Sequence, residues 1–474
     1  MERRWQVLSV VCVGVFVASL DLFIVNIAFP DIQSDFEGSS LGAVSWVLSA
    51  YAIVFAALLV PAGRWADAIG RKRVYLSGLA LFTFASALCA FAPGVELLVA
   101  ARVLQAAGAA MLMPTSLALL LPEFPPEKRP VAIGIWAAAS GVAAASGPPI
   151  GGLLVQLSWH WVFLVNLPIG IAAIIAGSRI LRETRDPAAV RPDLIAAVAL
   201  ALGVATLVGG IVKGEDWGWA SGRVIGAFAA AAALLAVVVQ RSRTHPVPVI
   251  EPALVRVRTF SLAILGGTLF FVAFSAMLLG TVLFLTNVWG EDTLRAGLMV
   301  APGPATAALF SVPGARLGAR YGNRLVGTVG AALMGLGAAW WLLFLSADHA
   351  YATDFLPGFM IGGAGVGLVN PSLTAAAAAS LPAARFATGA ALITMGRQLG
   401  SAVGVALLVP VLGSNLDAAA FDGAWMLMLG FAAAAAVSLW SMGRLPAPAA
   451  GPSSAEAAAA PGGPPAVAAA EVVA

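Results

Sequence analysis

Long apolar runs alternate with short polar turns along the 474-residue chain. From Val7 to Phe29 there is a single charge, Asp21. A helix needs about 20 apolar residues to cross the hydrocarbon core of a bilayer. Runs of that kind recur, and their hydropathy predicts about fourteen spans. Spans 1 to 6 lie near 7–29, 44–62, 74–92, 95–118, 131–157 and 161–181. Spans 7 and 8 lie near 194–212 and 224–240. Spans 9 to 14 lie near 260–286, 296–313, 325–346, 354–379, 386–412 and 423–443.

The turns between spans differ in sign, and that difference orients the chain. Every second turn is basic, as at Arg64, Arg71, Lys72 and Arg73; Lys128 and Arg129; Arg179, Arg182, Arg185 and Arg191; Arg241, Arg243, Arg256 and Arg258; Arg316, Arg320 and Arg324; Arg385; and Arg444. The intervening turns hold only Lys213, Arg223 and Arg295, and they carry the acids, including Asp31, Asp35, Glu37, Glu96, Glu215, Asp216, Glu291, Asp292, Asp348, Asp354, Asp417 and Asp422. Basic turns stay in the cytoplasm. Both termini are therefore expected there, in a multi-pass protein of the cell membrane. The first apolar run continues past Asp21 without a small-residue cleavage site, so it reads as a retained helix.

Composition narrows the function. Hydrophobic residues make up 60% of the chain and charged residues 10%, which no soluble domain of this length matches. The net charge of +3 is small and the basic balance comes from arginines in the turns, so it gives no nucleic-acid partner. Cys12 and Cys89 lie in apolar runs, and His160, His245 and His349 are scattered, so neither a disulfide nor a metal site is expected. No phosphate-binding glycine loop occurs, so direct drive by ATP is not expected. The residues from Pro446 onward are rich in Ala, Pro and Gly and read as a disordered tail.

The spans group as six, two and six. Gly63–Arg73 (GRWADAIGRKR) follows span 2, and Gly314–Arg324 (GARLGARYGNR) follows span 10, the second of the last six. Two such glycine-punctuated basic turns at equivalent places indicate an internal repeat. The expected organisation is an all-α integral membrane fold with two six-helix halves, 1–185 and 251–445, two inserted helices in 186–250, and a tail from 446 to 474.

Several motifs deserve chemical reading. Gly70 suits a turn with positive φ, and Asp67 among Arg71, Lys72 and Arg73 suggests a specific ion partner; a plain basic topogenic turn is the simpler account. Span 4 carries Arg102, Gln105 and Gly108. An arginine at the centre of a membrane helix costs at least about 2.5 kcal/mol unless it is paired or wet, although it could serve only to bridge carbonyls. Span 5 carries Gly147-Pro148-x-x-Gly151-Gly152, where small residues permit close helix approach and Pro148 bends the helix. Asp21 is the only acid in a predicted span away from its ends. It lies about 21 Å from the basic end of span 1, and Arg102 about 10 Å from the acidic end of span 4. Those depths allow the two to pair.

These motifs resemble the major facilitator superfamily, and within it the fourteen-span drug:proton antiporters. The resemblance covers nearly all but the tail. Leu20-Asp21 through Asn26 to Pro30, the Gly63–Arg73 turn, Arg102-x-x-Gln105, the Gly-Pro-x-x-Gly-Gly element, Trp159 through Gly170, and Arg397-Gln398-Leu399-Gly400 carry it. The chain departs from the family at Phe23, Trp65, Ala106, Ala143 and His160. The resemblance implies an efflux transporter, not an enzyme, that works by alternating access without a cofactor, as a monomer in the lipid bilayer. It implies proton coupling at Asp21 and Arg102. A latch or conformational switch would involve Gly63, Asp67, Gly70, Arg71, Gly147, Pro148, Gly151 and Gly152. Asn26, Trp46, Tyr51, Gln105 and Arg397 are expected to line the substrate cavity, with Arg397 either completing it from the opposite half or binding anionic substrate groups.

A carboxylate whose burial or distance from an arginine changes between states has a proton affinity that changes with it. The expected function is therefore proton-driven export of small, largely apolar or cationic compounds such as drugs or antibiotics. An uptake symporter or facilitator on the same fold is the alternative. A respiratory proton-translocating subunit is remote, because no intramembrane relay of Lys, Glu and His is present. A membrane enzyme would need a catalytic cluster on a sizeable loop, and none occurs.

Overall fold

The computed structural model describes residues 2–36, 38–125, 128–185, 192–380, 386–413 and 416–443. Arg191, Arg385, Arg444 and the tail from 446 lie outside the described residues. Among the described residues there is helix and no strand. Fourteen helices are long and apolar enough to cross a membrane, as the hydropathy predicts.

Span 7 (Leu194–Val212) matches its predicted limits. Most others run past theirs. Span 1 covers Arg3–Asp35 and span 2 covers Leu41–Ile69. Asp31 and Asp35, expected in a turn, consequently belong to the last turns of span 1, and Arg64 belongs to the end of span 2. The helices continue beyond the apolar core because long polar side chains reach water from a helical backbone as readily as from a loop.

Three spans contain breaks that hydropathy does not reveal. Span 6 divides at Val165 into Trp161–Leu164 and Asn166–Ile180. Pro168 has no N–H to offer the carbonyl of Leu164. Span 10 divides at Ala301 into Thr293–Val300 and Pro302–Tyr321, and span 12 begins with a wide turn, Tyr351–Phe355, before Leu356–Ser380.

The first six spans pack mainly among themselves, span 1 on span 5 and span 4 (Val95–Glu123) between spans 2 and 3 (Arg71–Ala90). The last six do likewise, with span 9 (Arg258–Asn287) against span 13 (Thr388–Leu412) and span 14 (Ala418–Trp440), and span 12 against spans 10 and 11 (Asn323–Phe344). An aromatic core knits this second group: the indole of Trp341 lies 4.7 Å from that of Trp425 and donates from Nε1 to the Phe355 carbonyl at 3.0 Å. Such pairs add specific geometry to plain apolar burial.

The two groups meet along two seams, span 2 on span 13 and span 5 on span 10. Span 7 packs against both span 2 and span 13, with span 8 (Gly222–Thr244) outside it. The repeat suggested by the two basic turns has a backbone counterpart. Gly70 ends span 2 with φ of 125°, and Gly322 ends span 10 with φ of 93°. Side chains are disfavoured there, which explains glycine at both places.

Candidate functional site

Five of the first six spans converge on one buried polar cluster. Span 1 supplies Asp21. Span 4 supplies Arg102 and Gln105, which share a face at i and i+3. Span 3 supplies Ser86 and Cys89 on the same spacing, span 6 supplies Asn166, and span 2 supplies Tyr51. All seven side chains are sealed from solvent.

Asp21 is the centre of the network. Arg102 Nη1 donates to its Oδ2 in a short, charge-assisted bond. Gln105 Nε2 donates to Asp21 Oδ1 at 2.8 Å, and Asn166 Nδ2 donates to the same oxygen at 3.4 Å. Arg102 also donates from Nη1 to Gln105 Oε1 at 2.5 Å and from Nε to the Val47 carbonyl at 3.0 Å. Its guanidinium lies 4.1 Å from the ring centre of Tyr51 and 5.8 Å from that of Phe163. Ser86 Oγ ties the cluster to span 3, accepting from Gln105 at 2.8 Å and from Asn166 at 3.3 Å. Removing either charge would leave the other buried alone, which is strongly destabilising. Among the described residues, two polar atoms of the cluster have no partner, the Tyr51 hydroxyl and Asn166 Oδ1.

The sequence put Asp21 and Arg102 at matching depth, and the structure brings them into contact. Gln105 and Tyr51, expected on the cavity wall, instead lie inside the sealed cluster. The i, i+3 spacing from Arg102 turns Gln105 inward, and the face of Tyr51 is occupied by the guanidinium. Trp46 does not join them: its indole lies 3.5 Å from where a side chain on Gly209 of span 7 would begin, so it packs on the inserted pair. Asn26 is half-buried and donates from Nδ2 to the Leu22 carbonyl of its own helix at 2.7 Å. Arg397 is half-buried near the middle of span 13, 4.4 Å from the ring centre of Phe271.

Sequence reasoning missed Ser86, Cys89 and Asn166 as members of this site. Asn166 was the most discoverable, being a polar residue inside an apolar span. Ser86 and Cys89 carry no signal of their own, because neither is costly to bury on an isolated helix.

The basic turn after span 2 forms a second cluster. Asp67 accepts from Arg71 Nε at 2.9 Å, and Arg71 also reaches the Ala118 carbonyl of span 4 at 3.5 Å. Glu183, which the sequence did not single out, receives the backbone N–H groups of Lys72 and Arg73 at 3.1 Å each. It thereby satisfies the exposed amides at the start of span 3. A Cβ on Gly70 would stand 2.6 Å from the Glu183 carboxyl. The bond from this turn toward the last six spans comes from Arg64, whose Nη2 donates to Thr388 Oγ1 at 3.4 Å, and not from Asp67. Gly63 lies against Pro114 of span 4.

The span 5 glycines work at the other end. A Cβ on Gly147 would meet Phe23 at 2.6 Å and one on Gly151 would meet Ile24 at 3.0 Å, so both hold span 5 close to span 1. A Cβ on Gly152 would meet the backbone of Leu294 at 2.8 Å, and one on Gly297 would meet the Pro148 carbonyl at 2.6 Å. These contacts close the span 5–span 10 seam at the acidic end, and the 2.5 Å bond from Thr293 Oγ1 to Asp31 ties span 10 to span 1 beside it. Toward the basic end the same spans expose Val131, Ile133 and Ile135 on one side and Leu309, Val312 and Leu317 on the other. Among the described residues no group of His, Cys, Asp and Glu could hold a metal ion.

Comparison with known proteins identifies the family and agrees with the fold. The sequence pattern of the Major Facilitator Superfamily matches residues 11–405 and 264–470. The chain is 35% identical over 420 residues to the multidrug resistance protein Stp of Mycobacterium tuberculosis, covering 88% of this chain and 78% of that protein. It is 32% identical over 437 residues to a probable actinorhodin transporter of Streptomyces coelicolor, covering 89% and 75%. It is 32% identical over 420 residues to a tetracenomycin C resistance and export protein of Streptomyces glaucescens, covering 87% and 77%. Among solved structures, a POT family transporter superposes with a TM-score of 0.66 at 15% identity, covering 91% of this chain and 94% of that one. A bacterial homologue of the lysosomal transporter Spinster, in an inward-facing and unoccupied conformation, gives 0.64 at 16% identity, covering 93% and 97%. Family and relatives are transporters, not enzymes. With fourteen apolar helices, a two-group bundle and this match along its length, the chain belongs to the major facilitator superfamily.

Proposed function

We propose that this protein is a proton-coupled exporter that moves small compounds out of the cell by alternating access. The observation that carries the reading is the sealed Asp21–Arg102 pair, anchored on spans 1, 2, 3, 4 and 6. Acids inside membrane spans are costly even when paired, and they mark proton or substrate pathways. Parting the guanidinium from Asp21 while both stay out of water favours the protonated acid, and restoring the pair releases the proton. Movement of 1–185 against 251–445 supplies that change, with 186–250 as an insert and the basic end in the cytoplasm. Asp67, Gly70 and Arg71, with Gly63, stiffen the basic-end turn as part of the switch. Gly147, Pro148, Gly151 and Gly152 let the acidic-end seam close and reopen.

Export is favoured over uptake by the names of the relatives, which speak of resistance and export. The protein is expected to act as a monomer in the cell membrane, with both termini cytoplasmic.

Everted vesicles test the coupling. An acid-inside gradient should drive accumulation of a substrate dye by the wild type, and Asp21→Asn should abolish the response to that gradient. Undiminished gradient-driven accumulation by Asp21→Asn would remove the assignment of Asp21.

A further inference from the structure

We propose that Arg397, with Phe271 and Phe274, receives the ionised acid group of an aromatic substrate, so that the compounds this protein carries are organic acids. The proposal deepens the export reading, and it rests on that reading only for the direction of transport.

Arg397 lies 9 residues beyond the start of span 13 at Thr388, about 14 Å along the helix. Phe271 lies near the midpoint of span 9. Both therefore sit near the middle of the membrane. Among the described residues Arg397 makes no hydrogen bond and no ion pair; its guanidinium rests on the Phe271 ring, 4.4 Å from the centre. Phe274 meets Phe271 edge to face at 5.2 Å. A guanidinium lying on an aromatic face keeps its N–H edge free for a bidentate carboxylate.

Thr394, Arg397 and Ser401 are all half-buried, at helical spacing of three and four residues along one face. The Thr394 hydroxyl is satisfied on the Ala390 carbonyl at 3.0 Å, so the arginine is the group that calls for a water-facing or ligand-facing side, because an unpaired charge facing lipid at this depth is costly.

Charge balance gives the sign of the occupant. Asp21 is taken by Arg102, so that pair contributes no net charge. Arg397 is left as an uncompensated positive charge at mid-depth. A cationic compound would meet like charge in a medium that screens poorly, whereas an acid would supply the missing counter-ion. The cationic compounds among those expected from the sequence are thus disfavoured, and aromatic acids fit both the charge and the ring pair.

Equilibrium binding tests this without a proton gradient. The full-length protein in phosphatidylcholine nanodiscs is titrated with fluorescent 9-anthracenecarboxylate and with its methyl ester. The wild type should bind the acid about tenfold or more tightly than the ester, the step that one charge-assisted contact supplies. Arg397→Gln should erase the preference while still binding the ester, and Arg397→Lys should keep part of it. Equal binding of acid and ester by the wild type, no binding of either, or a preference that survives Arg397→Gln would overturn the proposal. Loss of acid binding in phosphatidylglycerol nanodiscs would assign the cation to a lipid headgroup and overturn it too. Failure of gradient-driven transport in Asp21→Asn concerns coupling alone and leaves this binding result standing.

Discussion

Asp21 of span 1 and Arg102 of span 4 form an ion pair with no access to solvent, although 81 residues separate them in the chain. The pair is braced by Gln105 and Asn166 on the carboxylate and by the Val47 carbonyl and the Tyr51 ring on the guanidinium. Breaking one side leaves a bare charge, so Arg102→Gln is expected to lower the stability of the purified protein by about 3–5 kcal/mol. Asp21→Asn with Arg102→Gln together should cost less than the sum of the two single changes. Thermal unfolding of all four proteins in detergent measures the coupling, and strict additivity would mean the contact contributes nothing.

Tyr51 separates a packing role from a hydrogen-bonding one. Its hydroxyl has no partner among the described residues, while its ring faces Arg102. Tyr51→Phe should therefore leave stability and transport nearly unchanged. Tyr51→Leu should lose the cation–ring attraction, about 1–2 kcal/mol in a site shielded from water. Melting temperatures and dye export of the two variants check this, with the discriminating result being Phe like wild type and Leu unlike it.

At the acidic end, Asp31 and Thr293 join the first and last groups of spans through one bond. Replacing both by cysteine should give a protein that cross-links readily with a mild oxidant and then stops transporting until reduced. Mass spectrometry detects the link and dye export reads its effect. Full export by the linked protein would mean this seam does not open during transport.

Asp193 holds the inserted helices together. Its buried carboxyl receives the Ala196 N–H at the start of span 7 and Arg241 Nε from span 8, at 3.0 and 2.9 Å. Burial alone pushes the group upward, but the Ala196 and Arg241 bonds outweigh it and hold it below the usual carboxylate range. A lowered value means that its stabilising contribution is complete above the ordinary carboxylate range and fades as the pH falls through the lowered folded value. Wild-type melting temperature should therefore drop more steeply in acid than that of Asp193→Asn, which should be less stable at neutral pH. Parallel pH profiles for the two proteins would refute this account.

The basic-end turn offers a backbone test. Gly70→Ala would strain a residue at φ of 125° and crowd Glu183, so folded yield should fall sharply. Glu183→Ala should remove a cap on span 3 and cost about 1 kcal/mol. Gel-filtration yield and unfolding midpoints report both.

By itself the sequence determined the number of spans, the alternation of basic and acidic turns, the paired glycine turns at Gly70 and Gly322, and the two charges at matching depth. These are legible because hydropathy, charge and positive-φ glycine act locally, through the solvent each residue must face. Tertiary structure alone decided what those residues touch. It enlisted Ser86, Cys89 and Asn166 around Asp21, drew Gln105 and Tyr51 inside the cluster, and turned Trp46 onto span 7. It also gave Glu183 to the amides of span 3 and, among the described residues, gave Arg397 no counter-ion. Those outcomes depend on how each helix is rotated about its axis and on which neighbour it meets. Rotation is set by packing between spans far apart in the chain, and lipid, being apolar on every side, gives no single helix a preferred face.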